Sequence, residues 1–574
     1  MRINIVGAAK PLKGLAQSTQ VLHALLAHVL GPDAQIRHVS HFQPYAPEAE
    51  VNIFIEVVNP AMFPFAARNV WIPSPEWTYQ SWLPYASMVD EIWVKTQEAV
   101  GLFEAIPGCA PVKYIGWTSI DKKYNPVKNY RKGMVPVGKN IWRHPKPLVQ
   151  AYMRIQQQMP ELYARLPSLT ILHSPTYVKI APMPESVADK LTLVSETLSD
   201  EAYDAMLSEC GVVVCLSVAE GFGHTVNEAM SSGCALVLSP ITTFLELTRS
   251  GFWSSTSKSI PHPQCMGKLE DTDVESVMDA LKCYAETSDE NLKSVSDYSR
   301  KQYEDRHAEF VERMAKRVET LKDVPHYALQ EQMPKEEDLP GVSIITLTRD
   351  RRTFIPLLKY CRVAQSYPDS KLEWVIVDDG ADPIKDLITD MPNVKYILVD
   401  TSLTIGAKRN LGIEHASHDV LVMMDDDDVY PSNSILTRVA HMLAEPRKEC
   451  LFSTLLPCYE IHKHVSFMNV PPATLPMSQR VSEATLCFTR AFWAERQFAD
   501  IQVAEGDAFI HGRERMCREL SPQNVIVSLV HSKNTSARKP PTNETNGCHY
   551  GFSDELFTLI SEIAGAITPS PAPS

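Results

Sequence analysis

The chain has 574 residues, 44% of them hydrophobic and 22% charged, with a net charge of −14 and a pI near 5.7. That length exceeds one hydrophobic core and calls for two to four domains. The acidic balance argues against a dedicated nucleic-acid binder with a broad basic surface.

Twelve cysteines are scattered without a C-x-x-C pair or a zinc-spaced cluster, which fits reduced thiols and a cytoplasmic setting. No apolar stretch reaches the length of a membrane span, which leaves only peripheral membrane attachment open. The opening Arg-Ile-Asn-Ile-Val-Gly at 2–7 reads as a strand, not a signal peptide. A helix follows over 14–30, then strands at 51–58, 70–73 and 91–95. Strands alternating with helices imply a parallel, doubly wound sheet with ligands at its carboxyl ends. Residues 111–126 close this first domain, taken as 1–130.

A second alternating unit, 131–322, holds a helix at 145–158 and strands at 168–173, 191–194, 211–217 and 234–238. Its distinctive segment is Val-Ala-Glu-Gly-Phe-Gly-His-Thr-Val-Asn-Glu-Ala-Met, from Val218, with seven residues between Glu220 and Glu228. Gly221 and Gly223 let backbone approach a ligand, and the N–H groups near His224 and Thr225 open a helix suited to phosphate. A charged helical stretch with little apolar face covers 285–322, and a proline-rich linker covers 323–340.

The second half spans 341–563, with a disordered tail at 564–574. Strands at 341–348, 372–377, 394–399 and 419–424 each end in polar residues. The last delivers Asp425, Asp426, Asp427 and Asp428, a cluster that repels itself unless a cation is bound. On a strand, i and i+2 share a face, so Asp425 and Asp427 face one ligand while Asp426 and Asp428 support them. A divalent metal with oxygen ligands is the natural candidate. An Asp at one strand end can accept from a base N–H, and Lys408 and Arg409 are placed to hold a diphosphate.

The first half resembles the GT-B glycosyltransferases of family 4, through Glu-Gly-Phe-Gly followed by Asn-Glu-Ala-Met, the Gly116–Pro126 segment and Val137-Gly-Lys. The resemblance implies a pair of Rossmann-like domains and a retaining transfer. Glu228 would hold the ribose, Glu220 would contact the donor sugar, and Lys139 with Arg143 or Lys146 would neutralise the diphosphate. Lys139 stands where the family has Arg, so a bidentate fork to phosphate is lost.

The second half resembles the GT-A glycosyltransferases of family 2. Ser-Ile-Ile-Thr-Leu-Thr-Arg-Asp-Arg, Val-Ile-Val-Asp-Asp-Gly, Ala-Lys-Arg-Asn-Leu-Gly and Met-Asp-Asp-Asp-Asp carry the likeness, with Ala504-Glu-Gly-Asp and Val530-His-Ser-Lys-Asn-Thr further on. It implies a metal-dependent, inverting transferase using Mn²⁺ or Mg²⁺. Thr348, Arg351 and Asp379 would line the nucleoside pocket, and Lys408 and Arg409 would lie near the phosphates. Asp425 would lie nearer the ribose, and Asp427 with His531 would hold the metal. Asp507 would be the general base, with Glu505 left open as its alternative.

The whole is read as an α/β tandem glycosyltransferase, a GT-B-like pair followed by a GT-A domain, moving sugars from nucleotide-sugar donors to a glycan or glycoconjugate. One rival is a transferase acting on DNA bases. The other makes the first half a non-catalytic binding or oligomerisation module.

Overall fold

The computed structural model describes the chain except residues 8–12, 42–45, 144, 176–177, 197, 264, 329–333, 473, 523, 535–551 and 568–574. The described residues form two compact units, 1–40 with 51–58 and 68–325, and 41–50 with 59–67 and 326–574. No described helix is long and apolar enough to cross a membrane.

The first unit carries two six-stranded sheets. One contains β1 (Arg2–Gly7), β2 (Gln35–Ser40), β3 (Ala49–Ile55), β4 (Ala66–Ile72), β5 (Glu91–Val94) and β6 (Val112–Tyr114), in the order β2-β1-β3-β4-β5-β6. The other contains β7 (Asn129–Gly138), β8 (Ser168–His173), β9 (Leu191–Val194), β10 (Cys210–Cys215), β11 (Ala235–Leu238) and β12 (Phe252–Trp253), in the order β12-β11-β10-β7-β8-β9. β1 pairs parallel with β2 and β3, and β10 pairs parallel with β7 and β11. Val212, Val213 and Val214 are wholly buried, as a parallel strand covered on both faces requires. β2 escapes sequence reading because it is an edge strand of mixed polarity, Gln-Ile-Arg-His-Val-Ser, with one buried residue. A hairpin of β13 (Thr256–Pro261) and β14 (Lys268–Thr272) also belongs to this unit.

The charged helical stretch is two helices, Val274–Glu286 and Asp289–Glu319. The second does have a buried stripe, Leu292, Ser296, Ser299, Tyr303, Phe310, Met314 and Val318. Its spacing is that of one helix face, and serines within it hide it from a hydrophobicity reading.

The second unit is built on a seven-stranded sheet and a four-stranded one. The strands are β15 (Val342–Thr348), β16 (Leu372–Asp378), β17 (Val394–Leu398), β18 (Val420–Met423), β19 (Asp428–Val429), β20 (Cys450–Phe452), β21 (Leu456–Glu460), β22 (Val465–Asn469), β23 (Cys487–Thr489), β24 (Cys517–Glu519) and β25 (Val527–Val530). The larger sheet runs β17-β16-β15-β18-β23-β20-β24 and the smaller β19-β25-β21-β22. β15 pairs parallel with β16 and β18, and β23 lies antiparallel beside β18. The carboxyl ends of β15, β16 and β18 therefore open on one edge, where open α/β sheets bind ligands. The tail expectation needs correcting at its start. The helix Asp554–Ala566 runs into it, because Ile560, Ile563 and Ile567 are buried at helical spacing. Residues 568–574 lie outside the described residues.

Candidate functional site

At the end of β15 the chain turns through Asp350, at φ 53°. Asp350 tolerates that left-handed backbone because its Oδ1 accepts the N–H groups of Ala381 and Asp382, at 2.7 and 3.1 Å. Asp378, at the end of β16, accepts from Gly380 N–H, Ile384 N–H and the Tyr396 hydroxyl, so it organises its own loop. Asp379 turns the other way. Its Oδ1 accepts from Lys408 Nζ at 2.8 Å and its Oδ2 from Leu403 N–H at 2.9 Å.

Lys408 and Arg409 stand on the helix Ile405–His415, which Thr404 caps by accepting Ala407 N–H. Lys408 is thus the buried partner of Asp379. Arg409 lies against Glu505, its Nε donating to Oε1 at 2.9 Å, and against Asp425 at 3.6 Å. Burial works against its charge, but Asp425 and Glu505 outweigh that and hold its pKa above the ordinary value.

Asp425, Asp426 and Asp427 are not on a strand. β18 ends at Met423, and Asp426 and Asp427 occupy a turn before β19 resumes at Asp428. Two-residue alternation therefore fails here, and the four carboxylates fan out. Asp425 points to Arg409. Asp428 is drawn into the smaller sheet, accepting from Ser528 Oγ and Leu529 N–H. Asp426 is not merely supporting: its Oδ1 lies 3.9 Å from Arg351 Nη1, and its buried Oδ2 is left without a hydrogen bond. Burial pushes its pKa up to about 7, against the pull of Arg351.

Asp427 collects the donors. Its Oδ2 accepts from Arg351 Nη1 at 2.5 Å and from Asn534 Nδ2 at 3.3 Å, and lies 3.2 Å from His531 Nε2. Burial alone would raise its pKa, but the His531 hydrogen bond and the Arg351 charge hold it below the usual carboxylate range. His531 is fixed by three features: its Nδ1 accepts Lys533 N–H, its Nε2 meets Asn534 Nδ2, and its ring packs 4.7 Å from that of Phe354.

The separation of Asp427 Oδ2 and His531 Nε2 suits a shared ion. Two ligands at right angles, each about 2.1 Å from a first-row divalent metal, lie about 3 Å apart. Among the described residues no group of three or more His, Cys, Asp and Glu side chains is gathered to hold a metal.

A cleft of about 970 Å³ opens over these groups, lined by Thr348, Arg351, Lys408, Arg409, Asp425–Asp428, Glu483, Glu505 and Asp507. Asp379 and His531 sit one layer behind it, touching Lys408 and Asp427. The segment that presents Glu505 and Asp507 begins at Ala504, which holds φ 60° without being glycine, a local strain at the cleft wall. The Asp507 side chain has no hydrogen-bond or ion-pair partner among the described residues and is half-buried. Sequence reasoning missed Glu483 and Asn534. Burial, the Glu505 charge and the offset from Arg409 leave Glu483 with a pKa pushed up to about 7. A single glutamate in Val-Ser-Glu-Ala-Thr carries no signal, whereas Asn534 lay inside the His-Ser-Lys-Asn run.

In the first unit, the segment after β10 brings Glu220 to Arg143. Oε1 accepts from Arg143 Nε at 2.7 Å, Ser217 Oγ at 2.6 Å and Asn140 Nδ2 at 3.2 Å, and Oε2 accepts from Arg143 Nη2 at 3.2 Å. Arg143 also donates to the Pro136 carbonyl, so its fork is committed inside the protein. Lys139 and Lys146 are exposed instead. Glu228 accepts from Gln17 Nε2 at 2.6 Å and Tyr203 hydroxyl at 3.3 Å, and burial raises its pKa.

Gly221 is required by close approach: a Cβ there would fall 2.4 Å from Glu76 Oε1 and 2.6 Å from Ser74 Oγ. Gly223, at φ 83°, caps the helix His224–Ser232. Glu76 and His224 were not singled out as site residues. Burial and the Glu56 charge push Glu76 up to about 8, while burial drives His224 down to about 3 between the hydroxyls of Ser18 and Ser119.

Residues 343–460 match the family model for glycosyl transferase family 2, and residues 187–260 match that for glycosyl transferases group 1. Similar solved structures include S. aureus TarS, at 18% identity over 33% of this chain and 37% of that one, TM-score 0.28. The mannosyltransferase PcManGT from Pyrobaculum calidifontis, in complex with GDP-Man and Mn²⁺, is 17% identical over 35% and 60%, TM-score 0.28. The pneumococcal O-GlcNAc transferase GtfA, in complex with UDP and GlcNAc, is 17% identical over 48% and 58%, TM-score 0.36. The chain thus spans between 37% and 60% of the length of these three structures. No curated protein matches it.

Proposed function

Because this chain joins a GT-B-like glycosyltransferase segment to a GT-A one, we propose that it transfers sugars from nucleotide-sugar donors to a hydroxyl of a glycan or glycoconjugate. The second unit is the metal-dependent, inverting site. One observation carries this reading: a single large cleft at the sheet edge joins Thr348, Arg351, Lys408, Asp425 and Asp427 to the carboxylate of Asp507, which has no partner among the described residues.

Asp379, clamped by Lys408 and Leu403, fixes the loop at the nucleoside end. Thr348 and Arg351 form the adjoining wall. Asp507 takes the proton of the acceptor hydroxyl while that oxygen bonds to the anomeric carbon and the bond to the diphosphate oxygen breaks. Glu505 is placed second for that role, since its Oε1 accepts from Arg409 Nε. Asp427 and His531 would hold Mn²⁺ or Mg²⁺, which would supply positive charge for the departing diphosphate.

The first unit is read as a second, retaining donor site, with Glu220 and Glu228 as its carboxylates and Lys139 and Lys146 as its exposed cations. The assay is nucleotide release from a panel of nucleotide sugars by the full chain and by Asp507→Asn. Donor binding kept with transfer lost supports the reading, and unchanged transfer removes Asp507 from it.

A further inference from the structure

The cation on Asp427 is Arg351, and its guanidinium is anchored at a second point. Nη1 donates to Asp427 Oδ2 at 2.5 Å, Nη2 donates to the Lys533 carbonyl at 2.7 Å, and the group lies 5.2 Å from the centre of the Phe354 ring. The same Oδ2 faces His531 Nε2 and Asn534 Nδ2. A carboxylate oxygen offers about two lone-pair sites, so this one is already fully engaged. A metal ion joining this oxygen would have to displace one of these donors, and with the guanidinium in place two cations would repel across a single oxygen.

Beside it, the buried Oδ2 of Asp426 makes no hydrogen bond, and the single charge of Arg351 offsets only part of that of the two aspartates. We propose that Arg351 is a displaceable counter-ion: guanidinium and divalent metal are alternative occupants of Asp427. Metal entry releases Arg351 together with its hold on the Lys533 carbonyl, so metal binding is coupled to the segment His531–Asn534. The anchored arginine weakens metal binding in the donor-free protein, and the freed guanidinium becomes a cation of the cleft wall. This inference rests on the metal reading of the second unit.

The test measures Mn²⁺ binding to the full-length protein, without nucleotide, by the electron paramagnetic resonance signal of free Mn²⁺. Wild type, Arg351→Gln, Arg351→Lys and Asp427→Asn are compared, with thermal melts to confirm folding. The expected result is binding at least ten-fold tighter in Arg351→Gln and at least three-fold tighter in Arg351→Lys, with none in Asp427→Asn. Lysine keeps the charge but has a single ammonium in place of the two-point fork. A lysine variant equal to wild type reduces the effect to charge repulsion and overturns displacement. Wild-type binding that Arg351→Gln does not tighten overturns the inference while the metal site stands. No Mn²⁺ binding to any variant overturns both. Should the glutamine variant fail to fold, the lysine variant decides alone.

Discussion

Arg409 Nε meets Glu505 Oε1 at 2.9 Å, and both side chains are 4% exposed. Two residues along, Asp507 has no such partner among the described residues. On the proposed reading, this contrast separates a structural carboxylate from the general base. Removing one member of a buried pair costs about 3–5 kcal/mol, because the other charge stays buried. Glu505→Gln should therefore lower stability by that amount in urea melts. Asp507→Asn should leave the melt within about 0.5 kcal/mol and cut kcat by about 10²–10⁴-fold. A large stability loss in Asp507→Asn, or none in Glu505→Gln, would exchange their roles.

Lys408 and Asp379 make the same argument at the proposed nucleoside end. Asp379→Asn keeps an acceptor for Leu403 N–H but strands the Lys408 charge, so it should destabilise the second unit by about 3 kcal/mol. Since the loop after β16 loosens with it, KM for the donor should rise while KM for the acceptor holds.

In the first unit, Arg143 is committed to Glu220 and the Pro136 carbonyl, whereas Lys139 and Lys146 are exposed. Lys139→Met and Lys146→Met should raise donor KM with unchanged melting. Arg143→Ala should cost about 3–5 kcal/mol, since Glu220 is left buried without its cation. Equal KM effects from all three would mean that Arg143 leaves Glu220 to reach a diphosphate.

Glu483 gives a pH test with a definite sign. Its carboxyl is raised from 4.5 to about 7, by burial first and then by Glu505. Between those values the unfolded chain has released the proton and the folded chain retains it. The folded state binds more protons there, so stability falls as pH rises, by at most about 1.4 kcal/mol per unit from this group. Glu483→Gln should match wild type near pH 4 and exceed it at pH 8. Parallel urea midpoints across that range would contradict the assignment.

Much of this was legible in the sequence where chemistry and apolar runs coincide. Leu372–Asp378 and Val420–Met423 are uninterrupted buried strands, and the aspartates after the second line the cleft while Asp379, after the first, sits one layer behind it. Their pairing was not legible. Nothing in one dimension says that Lys408 faces Asp379 or that Arg143 closes on Glu220. The aspartate run misled for a related reason: strand periodicity was extended through Asp425–Asp427, where the backbone had already turned. Glu483 stayed invisible because its significance is entirely environmental, set by Glu505 and Arg409 from other elements.

The most direct test of metal-dependent transfer by the second unit is nucleotide release from a nucleotide-sugar donor. It is measured with Mn²⁺, with a chelator, and with Asp427→Asn in the full chain. The Asp427–His531 site predicts release that the chelator abolishes, that Mn²⁺ restores, and that Asp427→Asn cannot recover at any Mn²⁺ concentration. Release that persists undiminished under both the chelator and Asp427→Asn would contradict it.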